Sequence, residues 1–330
     1  MMKRGLRIVI GLCIAVGVAI SSVGLAALED EAAYPKKPVR LVVPHGAGSA
    51  VDLLARILAQ RLGEVLGQQF LVDNRPGAAG AAGMQAVSKA PPDGYTLVIS
   101  TNAPLTTSPA LRKLDYSGED FDPIVVVAQV PVVLMVNPKV DVNSISDLLA
   151  LSKRTPGGLS VASGGIGSIG HFIISHMQRQ LGANFVHVPY RGGVAGVTAI
   201  AAGEAQAGLL DIGSATPFIK DGRVRGLGIV GVKRATVLPD VPTLAELGVS
   251  GADIIAWVGF VAPKGTPKEI MQKLSAETAR ALKDPQVRRR LIIAGMEPVD
   301  GSTPESFAVF LRGEVLRWRQ RVQDAGLKLE

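Results

Sequence analysis

Short apolar runs rich in β-branched residues alternate with longer amphipathic segments through most of the chain. The short runs have the length of buried strands, and the longer segments have the apolar spacing of helices. Strands that alternate with helices in this way are typical of parallel sheets. The pattern predicts an α/β protein with helices between strands at residues 39–44, 70–74, 96–100, 159–163, 185–190, 205–211 and 224–231.

Two longer apolar runs, residues 124–136 and 252–263, interrupt this alternation. Neither fits the short strand–loop–helix pattern in the same way, so we expect each run to pass from one lobe of the protein to the other. Beyond them the apolar spacing is purely helical. It predicts helices at residues 267–284, 285–295 and 303–325.

The N-terminus has a different pattern from the rest of the chain. The basic segment MMKRGLR precedes an apolar stretch of small residues, and acidic sequence follows Ala27. This order is typical of a secretory signal peptide that is cleaved near Ala26 or Ala27. An uncleaved membrane anchor at residues 8–27 is the alternative, because this stretch has about the length that spans a bilayer.

Length and charge limit the classes of protein that remain. A chain of 330 residues with 47% hydrophobic residues can bury a sizeable core and is expected to form two domains. Cleavage of the signal peptide lowers the formal net charge from +7 to +4, which is too little to indicate nucleic-acid binding. Cleavage also removes Cys13, the only cysteine, so no disulfide or cysteine nucleophile is expected.

A glycine-rich loop separates the first predicted strand from the helix that follows. It reads PHGAGS at residues 44–49, with Asp52 three residues after Ser49. The first amides of a helix lack intrahelical acceptors and lie at the positive end of its dipole, so the loop is a candidate anion site. Ser49 and Asp52 also have capping-box spacing, which requires no ligand, and both interpretations can hold together.

A second glycine-rich loop, SGGIGSIGH at residues 163–171, opens the helix after another predicted strand. Gly165, Gly167 and Gly170 have the G-x-G-x-x-G spacing of dinucleotide-binding loops, and Arg191 follows at a distance suited to NADP. A secreted NADP-dependent oxidoreductase is therefore the alternative function. The lack of an acidic residue near position 190 and the mid-chain position of the loop disfavour it.

Other catalytic and metal-binding patterns are absent from the sequence. The four histidines, at positions 45, 171, 176 and 187, do not have the HExxH spacing of zinc enzymes. No G-x-S-x-G nucleophile elbow occurs. We therefore expect no catalytic residue, no metal and no cofactor.

Six segments occur in order from Tyr34 almost to the C-terminus: YPKKPVRLVVPHGAGSAVDLLAR, VDNRPGAAGAAG, APPDGYTL, VPYRGG, LPDVPTLAELG and WVGFVAPKGTP. Together they resemble the motifs of the Bug-type solute receptors, the extracytoplasmic binding proteins of tripartite tricarboxylate transporters. The resemblance implies a type II periplasmic-binding-protein fold, with two α/β lobes joined by crossing strands. It also implies one small ligand, often a carboxylate, between the lobes.

The resemblance assigns residues 28–132 and 258–330 to lobe 1 and residues 133–257 to lobe 2. Residues 1–27 are the predicted signal peptide. The two long apolar runs then become the hinge. We expect a periplasmic monomer that is not an enzyme, binds a small carboxylate, delivers it to membrane transporter subunits and does not bind nucleic acid.

Both glycine-rich loops become ligand loops under this resemblance. His45 and Gly46 replace the aromatic residue and proline that are usual in the family, which alters the wall of the site. Strand ends supply further candidates, including Arg191 for a carboxylate and Asp211 for a ligand hydroxyl or for helix capping. The predicted ligand-binding residues are His45, Gly46, Ala47, Gly48, Ser49, Asp52, Thr101, Asn102, Ser163, Gly164, Gly167, Ser168, His171, Tyr190, Arg191 and Asp211.

Overall fold

The computed structural model describes residues 34–77, 80–254 and 256–324. The predicted signal peptide and its cleavage site lie outside these residues. Within the described ranges, no helix combines the length and the apolar character needed to cross a bilayer.

Six strands from both ends of the described chain form the first sheet. They are β1 (Val39–Val43), β2 (Phe70–Asn74), β3 (Thr96–Thr101), β4 (Phe121–Gln129), β10 (Trp257–Pro263) and β11 (Glu297–Pro298). The order across the sheet is β11-β4-β10-β3-β1-β2. β1 is parallel to both β2 and β3, whereas β10 lies antiparallel between β3 and β4.

Five consecutive strands form the second sheet. They are β5 (Val132–Val136), β6 (Leu159–Ser163), β7 (Phe185–Pro189), β8 (Ala207–Asp211) and β9 (Arg225–Val230). The order across the sheet is β7-β6-β8-β5-β9, with β5 antiparallel to both of its neighbours. All seven predicted short strands are confirmed, with ends that differ by two residues at most. Both sheets place an antiparallel strand between their third and fourth parallel strands.

The strands alternate between two apolar faces. In β1, Val39, Leu41 and Val43 pack into one core cluster, and Val42 packs into the cluster on the opposite face. The strand β5 divides in the same way between two clusters of the second sheet. A strand that is buried on both faces needs apolar residues at successive positions, which explains the continuous apolar runs in the sequence.

Helices cover the faces of both sheets, and caps define several of their ends. The first helix begins after Ser49, whose side chain accepts from the amide of Asp52, and ends at Gly67 in the left-handed conformation. The three predicted C-terminal helices are confirmed. The helices are α1 (Ala50–Leu66), α2 (Ala81–Ser88), α3 (Asn102–Leu105), α4 (Thr107–Leu111), α5 (Ile145–Arg154), α6 (Ile169–Leu181), α7 (Gly193–Ala202), α8 (Ile212–Lys220), α9 (Lys268–Lys283), α10 (Pro285–Ile293) and α11 (Pro304–Asp324).

The two long apolar runs mark the places where the chain passes between the sheets. The first run divides into β4 and β5, which belong to different sheets and are separated by Val130 and Pro131. Among the described residues of the second run, Trp257–Pro263 form a strand and the others do not, so the crossing strand is shorter than the apolar run. The amide of Val130 donates to the carbonyl of Ala256 at 2.8 Å, so the two crossing segments lie side by side.

The last helix, α11, packs on the cores of both sheets. Its Phe307 belongs to a cluster of the first sheet, whereas its Trp318 belongs to a cluster of the second. Between them the buried carboxylate of Glu314 accepts from the indole nitrogens of Trp257 at 3.1 Å and Trp318 at 3.2 Å. The helix thus contacts residues that we assigned to lobe 2, and the division of the chain into lobes stays a prediction.

Removal of the Glu314 carboxylate is expected to destabilise the fold. In Glu314→Ala, two buried indole N–H groups lose their acceptor, so the free energy of unfolding should fall by about 2 to 4 kcal/mol. Urea denaturation measures this loss. The exposed Glu204 offers a control, because Glu204→Ala should change the free energy by no more than about 0.5 kcal/mol. Equal effects of the two substitutions would contradict the role given to Glu314.

Candidate functional site

The predicted ligand residues gather at the carboxyl ends of the parallel strands. Loops or helices leave the sheets at these ends, where α/β sheets hold their ligands. In the first sheet the strands end at Val43, Asn74 and Thr101, and in the second sheet at Ser163, Pro189 and Asp211.

One contact shows that the two sheet edges adjoin the same space. A Cβ atom at Gly167, in the second glycine-rich loop, would lie 3.2 Å from Cδ1 of Leu111. Leu111 ends α4, which follows β3 of the first sheet. The second loop therefore lies against an element that follows β3, at the carboxyl edge of the first sheet.

The first loop is a closed turn in front of α1. The amide of Ser49 donates to the carbonyl of Gly46 at 3.2 Å, and the side chain of Ser49 accepts from the amide of Asp52 at 3.2 Å. The amide of Gly48 donates to Oδ2 of Asp52 at 2.9 Å. Gly48 has φ of 80°, a conformation that favours glycine. The predicted capping interaction of Ser49 is thus present.

Asp52 is buried and holds several parts of the first edge together. Besides Gly48, its carboxylate accepts from Arg56 Nε at 3.0 Å and Asn74 Nδ2 at 2.9 Å. Burial by itself raises the pKa of Asp52, but the hydrogen bonds from Arg56, Gly48 and Asn74 outweigh it and lower the pKa below its ordinary value. Asp52 is therefore an anion whose oxygens are occupied by the protein, and it positions the loop.

His45 links the first loop to the end of β3. Its carbonyl accepts from Asn74 Nδ2 at 3.1 Å, and its Nε2 lies 3.3 Å from Oγ1 of Thr101. Burial lowers the pKa of His45 to about 4. The ring is neutral at neutral pH, so it adds a polar group but no positive charge to the wall of the site.

The second loop repeats the construction of the first. The amide of Ser168 donates to the carbonyl of Gly165 at 3.2 Å, and the side chain of Ser168 accepts from the amide of His171 at 3.2 Å. The amide of Gly167 donates to Nδ1 of His171 at 3.1 Å. Gly167 also has φ of 80°. The segments GAGSAVD and GIGSIGH form the same turn, with His171 in the place of Asp52.

His187 is a site residue that the sequence reasoning missed. Its ring stacks on His171 with centroids 4.1 Å apart, and its Nε2 lies 2.7 Å from the buried Oγ of Ser163. Ser163 Oγ in turn accepts from the amide of Gly165 at 3.1 Å. Burial, and then the neighbouring His171, lower the pKa of His187 to about 4. In the sequence, the only sign of this role was that His187 lies in a predicted strand, near its carboxyl end.

The second glycine of each loop does not offer a free amide to a ligand. The amides of Gly48 and Gly167 are already donated to Asp52 and His171. A larger residue at either glycine would also strain the turn, because φ is positive there. The amides that a helix leaves without intrahelical acceptors are those of its first turn. In α1 and α6 these include the amides of Ala50, Val51, Ile169 and Gly170.

The other predicted residues take different positions. Asp211 caps α8, since its carboxylate accepts from the amide of Ser214 at 2.9 Å and from its hydroxyl at 3.0 Å. Asn102 is only 3% exposed, and its Nδ2 has no partner among the described residues. Tyr190 is half-buried beyond β7, and the following Arg191 is exposed.

Open space lies above both loops. Apart from the two adjacent residues in the chain, no described residue has an atom within 4 Å of where a Cβ would be at Gly46, Gly48 or Gly164. Gly46, Ala47 and Gly48 are also exposed. The loops therefore give a small molecule close access to the backbone at the N-termini of two helices.

Two α/β sheets, joined by crossing segments and carrying paired loops at adjoining edges, define a two-lobed solute-binding protein. Comparison with known proteins agrees. The chain matches the family described as the tripartite tricarboxylate transporter family receptor over residues 54–327, and it belongs to this family.

Solved structures show the same architecture. The periplasmic binding protein BugD is 31% identical, with a TM-score of 0.80 over 90% of this chain and 100% of BugD. Rpa4515 of R. palustris, solved with adipate, is 33% identical, with a TM-score of 0.82 over 89% of this chain and 99% of Rpa4515. MatC of Rhodopseudomonas palustris, solved with malate, is 30% identical, with a TM-score of 0.79 over 88% of this chain and 100% of MatC.

These comparisons confirm the resemblance and the type II binding-protein fold. The family and its structural neighbours are solute-binding receptors and not enzymes, so the alternative of an NADP-dependent oxidoreductase is wrong. Gly170, the third glycine of the apparent dinucleotide motif, has a packing role. A Cβ there would lie 2.2 Å from the carbonyl oxygen of Leu209 in β8.

Protonation of His45 is expected to destabilise the fold in acid. Because burial lowers the folded-state pKa from 6.5 to about 4, the unfolded chain binds a proton between these pH values that the folded chain does not. The contribution is fully present above about pH 6.5 and is lost as pH falls to about 4, a difference of about 3 kcal/mol. Urea unfolding of the wild type should therefore lose more free energy across this range than that of His45→Gln.

The half-buried His176, which bonds to the carbonyl of Ser250, supplies the control for this measurement. His176→Gln should keep the acid dependence of the wild type. Parallel profiles of the wild type and His45→Gln would contradict the prediction.

Proposed function

We propose that the protein is a periplasmic receptor that binds a small carboxylate between its two loops, without changing it, and delivers it to a tripartite tricarboxylate-type transporter. The observation that carries this proposal is the repeated Gly-x-Gly-Ser turn at adjoining sheet edges. Each turn opens a helix, so two helix N-termini can attract one anion. The relatives solved with adipate and malate support small dicarboxylates as the first ligands to test.

The polar side chains around the loops support binding without reaction. Asp52 accepts three hydrogen bonds from protein donors, and Nδ1 of His171 accepts from Gly167. His187 contacts the hydroxyl of Ser163. A general base must reach a proton of its substrate, whereas these groups are engaged in holding the loops. The site therefore has the character of a rigid receptor.

The expected affinity follows from the number of available donors. A hydrogen bond to a charged group contributes roughly 1.5 to 3 kcal/mol. Three or four such bonds, less the cost of immobilising the ligand, give a Kd on the order of micromolar. The neutral histidines of the site add no charge, so backbone amides and helix dipoles supply most of the attraction.

A charge placed in the first loop should test the anion site. Ala47 is exposed in the loop, and Ala47→Glu adds a negative charge in front of α1. We expect Kd for adipate or malate to rise by about tenfold or more, because the added carboxylate repels the ligand. Isothermal titration calorimetry of the mature protein measures this change.

Ala47→Gln is the matched control, since it has nearly the same size without the charge. It should bind substantially better than Ala47→Glu. Equal affinities of the two variants would remove the first loop from the site. Stabilisation of the wild type by NADP and by neither dicarboxylate would contradict the proposed ligand class.

Ligand binding is expected to close the lobes about the crossing segments. The two tryptophans of the chain, Trp257 and Trp318, both bond to Glu314 where α11 meets both cores. A shift of the lobes should therefore change tryptophan emission, and X-ray scattering should show compaction when adipate or malate binds. Identical scattering profiles with and without a bound ligand would contradict closure.

A further inference from the structure

The two ligand loops form the same set of hydrogen bonds, but the group that accepts one of these bonds differs between them. Ser49 and Ser168 have the same backbone angles, φ of −69° and ψ of 160°, and each caps its helix in the same way. In each loop, the amide of the glycine before the serine donates a hydrogen bond to the side chain three residues after the serine. In the first loop this acceptor is the Asp52 carboxylate, and in the second it is Nδ1 of His171.

The two acceptors respond differently to protons. The carboxylate of Asp52, whose pKa lies below its ordinary value, keeps its charge throughout the neutral and mildly acidic range. An imidazole nitrogen accepts a hydrogen bond only when it carries no proton. If Nδ1 of His171 becomes protonated, its N–H faces the N–H of Gly167, and the bond that closes the second loop is lost.

A proton on Nδ1 would give His171 a positive charge, and the groups around the ring do not stabilise that charge. Its stacking partner is His187 on β7, and a positive charge on His171 lowers the pKa of His187. Burial lowers the pKa of His171. Of the charged groups at this edge, Asp211 at the end of β8 is occupied by Ser214, and Arg191 beyond β7 is exposed. On the first sheet's side, Arg112 follows the last residue of α4.

We propose that His171 is a positioning residue that makes the second ligand loop sensitive to protons, while Asp52 keeps the first loop closed. Neutral His171 holds the loop from Gly165 to Ser168 in its binding conformation. Acidification releases the loop, so affinity for the carboxylate falls. This inference rests on the proposed function, and it adds a form of regulation at the same site.

His171→Asp gives the second loop the Gly-x-Gly-Ser-x-x-Asp sequence of the first. Compared with about pH 7.5, the wild type should bind adipate or malate more weakly as pH falls below the ordinary histidine range, by about three- to tenfold once His171 is protonated, which corresponds to one lost hydrogen bond. His171→Asp should bind well at the higher pH and lose much less at the lower pH. Ratios of Kd between proteins at each pH cancel protonation of the ligand itself.

Two further variants separate acceptor loss from packing. His171→Phe keeps an aromatic ring against His187 but has no acceptor, so its affinity should be about three- to tenfold lower than that of the wild type at the higher pH, with little further loss on acidification. His176→Gln alters another histidine of α6 and should keep the wild-type profile. Wild-type affinity that is constant or rises on acidification would overturn the proposal, as would an equal acid loss in His171→Asp.

A measurement without ligand separates this inference from the proposed function. Amide resonances of Gly48 and Gly167 can be followed by NMR as pH falls. On acidification, the Gly167 amide should change its chemical shift and lose protection relative to its intrinsic exchange rate in the wild type but not in His171→Asp, and the protection of the Gly48 amide should be kept in both. If this holds and no carboxylate binds, the proposed function fails while the proton-sensitive loop stands. Equal behaviour of both amides would overturn the inference.

Discussion

The chain crosses between its sheets twice, and the bond from the amide of Val130 to the carbonyl of Ala256 holds the crossings together. Each crossing leads directly into an antiparallel strand, β5 in the second sheet and β10 in the first. Because these strands lie inside their sheets, neither sheet is complete without chain that has just left the other. The edges that carry the loops are therefore kept next to each other by chain connectivity as well as by packing.

Two further contacts join the halves. On α11, Glu314 binds one tryptophan from the core of each sheet. Elsewhere the backbone of Gly213 in α8 approaches Gly295 so closely that a Cβ on Gly295 would lie 2.5 Å from the Cα of Gly213. The first contact is a directional polar link, whereas the second is a smooth contact of two backbones. The Glu314 hydrogen bonds fix one point between the halves, whereas the glycine contact has no side chains that would block a small movement there.

Local sequence determined the strands and the glycine turns, and these were predictable. β-Branched runs mark buried strands, and glycine followed by serine marks a helix start, because both signals depend on neighbouring residues. The contact of Trp318 with the second core and the stacking of His187 on His171 depend on residues far apart in the chain, which spacing does not report. The repeated GAGSAVD and GIGSIGH segments were visible in the sequence, and their alignment would have given His171 the same position in its loop as Asp52.

The strand order also fixes the sequence in which the halves can be completed. The second sheet is continuous in the chain, from Val132 to Val230. The first sheet cannot form completely until β10 is available to pair between β3 and β4. At about 5 to 20 residues per second, synthesis from the end of β4 at Gln129 to the end of β10 at Pro263 takes on the order of seven to thirty seconds. For that interval β3 and β4 have unpaired edges, and a chain that emerges N-terminus first must protect them from other strands. The first sheet, which contains the earliest strands of the chain, is thus the last to be completed.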